Sequence, residues 1–67
     1  MIGKQIAKFR IRASTTQEDL SAQLQTKGCD LTRSAVAKIE AGQRHIYTYE
    51  IKAIKEILKV SYEDLFI

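Results

Sequence analysis

Thr32-Arg33-Ser34-Ala35-Val36-Ala37-Lys38-Ile39-Glu40-Ala41-Gly42-Gln43-Arg44 decides the fold, because its periodicity separates a small, positively charged face from an apolar one. On a wheel of about 100° per residue, Arg33, Ser34, Ala37, Lys38 and Ala41 share one arc, and Thr32, Ala35, Val36 and Ile39 fall opposite. The apolar arc can pack. The other arc is either very small, letting a partner approach the backbone, or carries Arg, Ser and Lys, which donate to acceptor-rich base edges and phosphates. Such a helix suits a DNA groove.

Outward from this helix, local signals divide the rest of the chain. Ile2, Ile6, Phe9 and Ala13 recur at helical spacing with Lys4, Lys8 and Arg12 turned outward, which predicts an amphipathic helix over the first dozen residues. Ser14-Thr15-Thr16 interrupts it. Thr16 is a good N-cap with Asp19 three residues on, and Leu20 and Leu24 give the buried stripe of a second helix that Gly28 stops. Thr32 can cap the third helix, with Leu31 and Val36 placed as a hydrophobic staple, and Gly42 ends it. From Tyr47 helical spacing resumes: Tyr47, Ile51, Ile54 and Leu58 form a core stripe with Ile57 at its edge, and Glu50, Lys52, Lys55, Glu56 and Lys59 point mostly outward. Ser61-x-x-Asp64 restarts a short last helix carrying Leu65 and Phe66. The reading is a compact, all-α, five-helix single domain spanning residues 1–67.

Composition narrows the functional classes. Sixty-seven residues make one domain that buries only roughly 60% of its unfolded surface, so added burial through dimerisation is expected. No apolar run approaches the ~18 residues of a membrane span, and Met1-Ile-Gly-Lys4 lacks the apolar core of a signal peptide, so a cytoplasmic location is expected. The single Cys29 cannot form an internal disulfide, and no Cys or His cluster surrounds it, so neither a metal site nor a cofactor is implied. It reads as a small, partly buried turn residue. One His, no glycine-rich phosphate loop and no nucleophile with a base at credible spacing leave nothing from which to assemble an enzyme.

The net charge of +3 is modest but unevenly spread. Residues 1–12 carry Lys4, Lys8, Arg10 and Arg12 with no acid, and residues 32–45 carry Arg33, Lys38 and Arg44 against only Glu40. Glu18, Asp19 and Asp30 outweigh Lys27, and the C-terminal third is also net negative. A polyanion would meet a basic side made of the first helix and the middle segment.

Gln17-Glu-Asp-Leu20, Arg33-Ser-Ala35, Lys38-Ile-Glu-Ala-Gly42-Gln-Arg44 and Val60-Ser-Tyr-Glu-Asp-Leu-Phe66, in this order and spacing, resemble the Cro and phage-repressor type of helix-turn-helix domain, often called XRE. The resemblance covers nearly the whole chain. Val36 lies twelve positions after Leu24; this lengthens the common connection between helices two and three by roughly one helical turn plus Gly28, Cys29 and Asp30.

The resemblance implies a lambda repressor-like fold, dimers and a palindromic operator. Arg33, Ser34 and Lys38 take the base-reading positions, and Thr16, Gln17, Thr32 and Arg44 the phosphate-contacting ones. Arg10 and Glu40 match a structural ion pair bracing helix one against the recognition helix. The resulting expectation is a sequence-specific regulator of transcription, a repressor acting as a homodimer on double-stranded DNA. The alternative is a protein-interaction module on the same fold, antitoxin-like or an adaptor subunit. Leu65, Phe66 and Ile67 end the sequence with three apolar residues, which are candidates for the dimer contact or else cap the core.

Overall fold

A computed structural model describes residues 2–66. Its helices are α1 (Ile2–Arg12), α2 (Gln17–Thr26), α3 (Arg33–Glu40), α4 (Thr48–Leu58) and α5 (Tyr62–Leu65), with no strand among the described residues. Ile6, Leu20, Leu24, Leu31, Val36, Ile39, Ile54, Leu58 and Leu65 interlock as the core, joined by Cys29. Each major helix contributes one or two large aliphatic residues. The third helix is held from both sides, by α1 and by α2.

Local chemistry sets the boundaries. Thr16 caps α2 in a reciprocal box: its Oγ1 accepts from the Asp19 N–H at 3.0 Å while Asp19 Oδ2 accepts from the Thr16 N–H at 3.3 Å. Ser61 and Asp64 repeat the box at α5, and Thr32 Oγ1 accepts from the Ala35 N–H at 3.1 Å to open α3. At the C-terminal ends, Gly28 and Gly42 turn the chain left-handed at φ 79° and 75°. Cys29 N–H then reaches Leu24 O and Gly28 N–H reaches Gln25 O, the double bond of a Schellman ending. Ser14 and Lys59 adopt the same left-handed conformation, at φ 55° and 58°, without the freedom of glycine.

The long connection between α2 and α3 is anchored. Cys29 and Leu31 are buried, and the buried Ser21 hydroxyl donates to the Leu31 carbonyl at 2.6 Å. Burial raises the Cys29 thiol above its ordinary pKa, and the charge of Glu50 adds to the effect. The added residues thus extend the core rather than loop away from it.

Several expectations are corrected. Ala13 lies exposed in the turn after α1 instead of on its buried stripe, because the helix ends at Arg12 and the chain reverses at Ser14. Tyr47 precedes α4 as its N-cap residue and is 56% exposed, so it is no core residue. Glu50, expected outward, is 2% exposed. Leu65 is fully buried against the core and cannot serve as a dimer contact, whereas its neighbour Phe66 is 62% exposed. Ile67 lies outside the described residues.

Candidate nucleic-acid interface

The third helix is anchored by Val36 and Ile39, both almost fully buried, while Arg33, Ser34 and Lys38 are exposed on its far side. Ala37 and Ala41 keep the relief between them low. Neither Arg33 nor Lys38 has a carboxylate within ion-pair distance among the described residues. Their charges and donors are therefore available to a partner.

The position of α3 is fixed by contacts at its C-terminal end. Arg10 of α1 forms a two-pronged bond to Glu40: Nε donates to Oε2 at 2.7 Å and Nη2 to Oε1 at 3.1 Å. Its remaining terminal nitrogen, Nη1, donates to the Thr15 carbonyl at 2.8 Å. Both side chains are about nine-tenths covered, at 12% and 8% exposure. Gln17, the first residue of α2, donates its amide to Glu40 Oε1 at 3.0 Å. Glu40 thus ties α1, the start of α2 and α3 together, in a partly desolvated site where such charge-assisted bonds are strong. The bond of Gln17 to Glu40 was not legible in the sequence, where Gln17 stood out as a helix-start residue that the resemblance assigns to a phosphate contact.

Gly3 supplies the steric counterpart. A Cβ there would collide with the backbone carbonyl of Ile39 and stand 2.9 Å from that of Glu40. Only glycine lets α1 approach the end of α3 this closely. Its sequence signal was faint: a glycine in the first turn of an amphipathic pattern, between the apolar positions Ile2 and Ile6.

Beyond Gly42, the loop is fixed by a second ion pair. Arg44 Nη1 and Nη2 donate to Glu50 Oε1 and Oε2 at 3.0 and 3.1 Å, and Nη1 also donates to the His45 carbonyl at 2.7 Å. Glu50 Oε1 additionally accepts from the Tyr47 N–H at 3.0 Å, closing the first turn of α4. Burial pushes the Glu50 carboxyl upward, but the Arg44 hydrogen bonds, the Tyr47 N–H and the Arg44 charge outweigh it and hold it below its ordinary value. The same hydrogen bonds raise Arg44, against the opposing pull of desolvation. The guanidinium lies 6.0 Å from the Tyr47 ring centroid, and Tyr47 stacks on Tyr49 at 6.0 Å with the planes 8° apart. A glutamate three residues after the helix-start residue was the available signal for Glu50.

Between the end of α1, the start of α2 and the first residue of α3 runs an open groove that includes Arg10, Ser14, Thr16, Gln17, Glu18 and Arg33. Thr16 and Thr32 use their hydroxyl oxygens as helix caps, which leaves each hydroxyl proton to donate. Among the described residues no cluster of His, Cys, Asp and Glu could hold a metal ion, and no helix is long and apolar enough to cross a membrane.

Comparison with family models matches residues 6–65 to one described as helix-turn-helix. No curated protein and no solved structure matches the chain.

Proposed function

The chain belongs to the helix-turn-helix family, a family of DNA-binding regulators, and on that premise we propose that it is a sequence-specific repressor that occupies a palindromic operator as a homodimer. The observation that carries the reading is the division of α3. Val36 and Ile39 fasten it to the core while Arg33, Ser34 and Lys38 stand exposed and unpaired. These three side chains read base edges in the major groove, Arg33 and Lys38 as donors to guanine O6 and N7 and Ser34 as the adaptable contact.

Thr16, Gln17, Thr32 and Arg44 contact the phosphates on either side. Gln17 keeps one amide proton beyond its bond to Glu40, and Arg44 keeps Nε–H and one Nη2–H beyond those given to Glu50 and His45. Both are held before DNA arrives, so little side-chain freedom is lost on binding. The charge of Arg44 is largely offset by Glu50, so it contributes register more than counterion release. Phe66 is the proposed dimer contact, since it is the large apolar residue left exposed beside the buried Leu65.

One recognition helix reaches only a few base pairs, and two such helices about one turn apart, roughly 34 Å, supply the missing specificity. Selection of bound sequences from random duplexes tests the proposal directly. Enriched inverted repeats, with half-sites about 10 base pairs apart, are expected. A single non-repeating site bound one-to-one overturns the dimer, and no enrichment overturns sequence-specific binding altogether.

A further inference from the structure

Three charged residues line the groove between α1, α2 and α3: Arg10, Glu18 and Arg33. Arg10 is neutralised by its two-pronged bond to Glu40 and has given its remaining terminal nitrogen to the Thr15 carbonyl. That leaves Glu18, the second residue of α2, and Arg33, the first residue of α3, as the groove's two uncommitted charges, of opposite sign. Both are exposed, and neither has a hydrogen-bond or ion-pair partner among the described residues.

We infer that Glu18 is a positioning residue for Arg33: its carboxylate draws the guanidinium into the groove and holds it toward a guanine edge when duplex DNA is bound. The inference rests on the DNA-reading role proposed for Arg33. An arginine has five N–H donors, and a guanine edge takes only two. A carboxylate on the near wall accepts from the others and fixes the plane of the fork, on which two-pronged recognition depends.

The same carboxylate has a cost that makes the role visible. A phosphate approaching the groove is attracted by Arg33 and repelled by Glu18, so the acid lowers affinity for DNA of any sequence while sharpening choice at one base pair. An acid retained only as a favourable charge at a helix N-terminus would influence stability and overall affinity, but not the choice of base.

The test compares the parent with Glu18→Gln, Glu18→Asp, Arg33→Ala and the Glu18→Gln/Arg33→Ala double variant. Each is titrated against the selected duplex, the same duplex with the guanine contacted by Arg33 replaced, and an unrelated duplex. Glu18→Gln is expected to bind the unrelated duplex roughly 3- to 10-fold more tightly. It should also lose a similar factor, roughly 3- to 10-fold, in discrimination at that guanine. Glu18→Asp should restore part of both, and in the Arg33→Ala background Glu18→Gln should leave discrimination unchanged. Intact discrimination in Glu18→Gln, or an equal loss with and without Arg33, overturns the inference while leaving the DNA-binding reading in place. A parent protein that binds none of the duplexes overturns both.

Discussion

Arg10 and Glu40 lie thirty positions apart in sequence and meet through two hydrogen bonds of 2.7 and 3.1 Å at a site nine-tenths closed to water. Removing one partner strands the other's charge in that site. Glu40→Ala is therefore expected to cost about 2–4 kcal/mol, slightly below the range for a fully buried pair because some solvent remains. Replacing both residues with apolar ones of similar size should cost less than Glu40→Ala alone. A double-mutant cycle measured by urea denaturation checks this, and additive losses would show that the pair carries no coupling.

The same junction depends on the missing side chain of Gly3. With Cβ directed at the carbonyls of Ile39 and Glu40, Gly3→Ala must push α1 away from the end of α3. A backbone obstacle cannot rotate aside as a side chain would. The gain in helix propensity from alanine, about 1 kcal/mol, is expected to be outweighed, for a net loss of about 1–3 kcal/mol. Thermal melting of the variant decides the sign.

How much was legible in the sequence depended on how local the cause was. The two faces of α3 follow from a 3.6-residue period, and the caps at Thr16, Thr32 and Ser61 from chemistry within three residues, so both could be read directly. Glu50 could not, because polarity alone points a charged residue outward, and its burial is decided by Arg44, which lies before the helix and arrives by way of the loop. Tyr47 failed for a related reason: apolar spacing continued through it, but the backbone stays extended there and α4 begins at Thr48. At α5, one turn of helix holds too little period to tell Leu65, which is buried, from Phe66, which is exposed. Gln17 stood out as a helix-start residue, yet its bond to Glu40 is a tertiary contact that no local pattern encodes.

Acid should weaken the loop after α3 through Glu50. Its folded-state pKa lies below the ordinary value, so its stabilisation is fully present above the unfolded carboxylate value of about 4.3 and is lost as pH falls through the lowered folded value. Glu50→Gln keeps an acceptor for the Tyr47 N–H but removes the charge facing Arg44. At neutral pH it should cost about 1–3 kcal/mol. The variant's stability should also fall less steeply than the parent's below about pH 4. Denaturation midpoints taken from pH 7 to 3 supply both numbers, and parallel curves would refute the assignment.

Two helix ends pay for their geometry with the wrong residue. Ser14 and Lys59 turn left-handed where Gly28 and Gly42 do so freely. Ser14→Gly and Lys59→Gly should each stabilise the fold by about 0.5–1 kcal/mol, after the greater freedom glycine gives the unfolded chain. The double variant measures whether the two gains add, as they do where two sites share no partner. Calorimetry can read the shift, and a destabilised Lys59→Gly would mean that its side chain contributes more than its backbone costs.

Recognition itself is tested at Arg33 and Lys38. Both are exposed and unpaired among the described residues, so truncation leaves no buried group stranded and should not disturb folding. On the selected duplex, Arg33→Ala and Lys38→Ala are each expected to weaken binding by about 1–3 kcal/mol and to relax preference at one base pair. Lys4→Ala, an exposed cation on α1 outside the proposed contacts, is the control and should leave preference unchanged. Arg44→Ala should behave differently from the reading residues, because it also uncovers the buried Glu50 and so lowers stability together with binding. Titrations on duplexes of different sequence over a range of salt separate the cases: loss of base choice changes the ratio between duplexes, whereas Arg44→Ala, whose charge Glu50 largely offsets, should weaken every duplex alike with little change in the slope of log K against log salt. If both Arg33→Ala and Lys38→Ala retained parental affinity and preference, the exposed face of α3 would not be the surface that meets DNA.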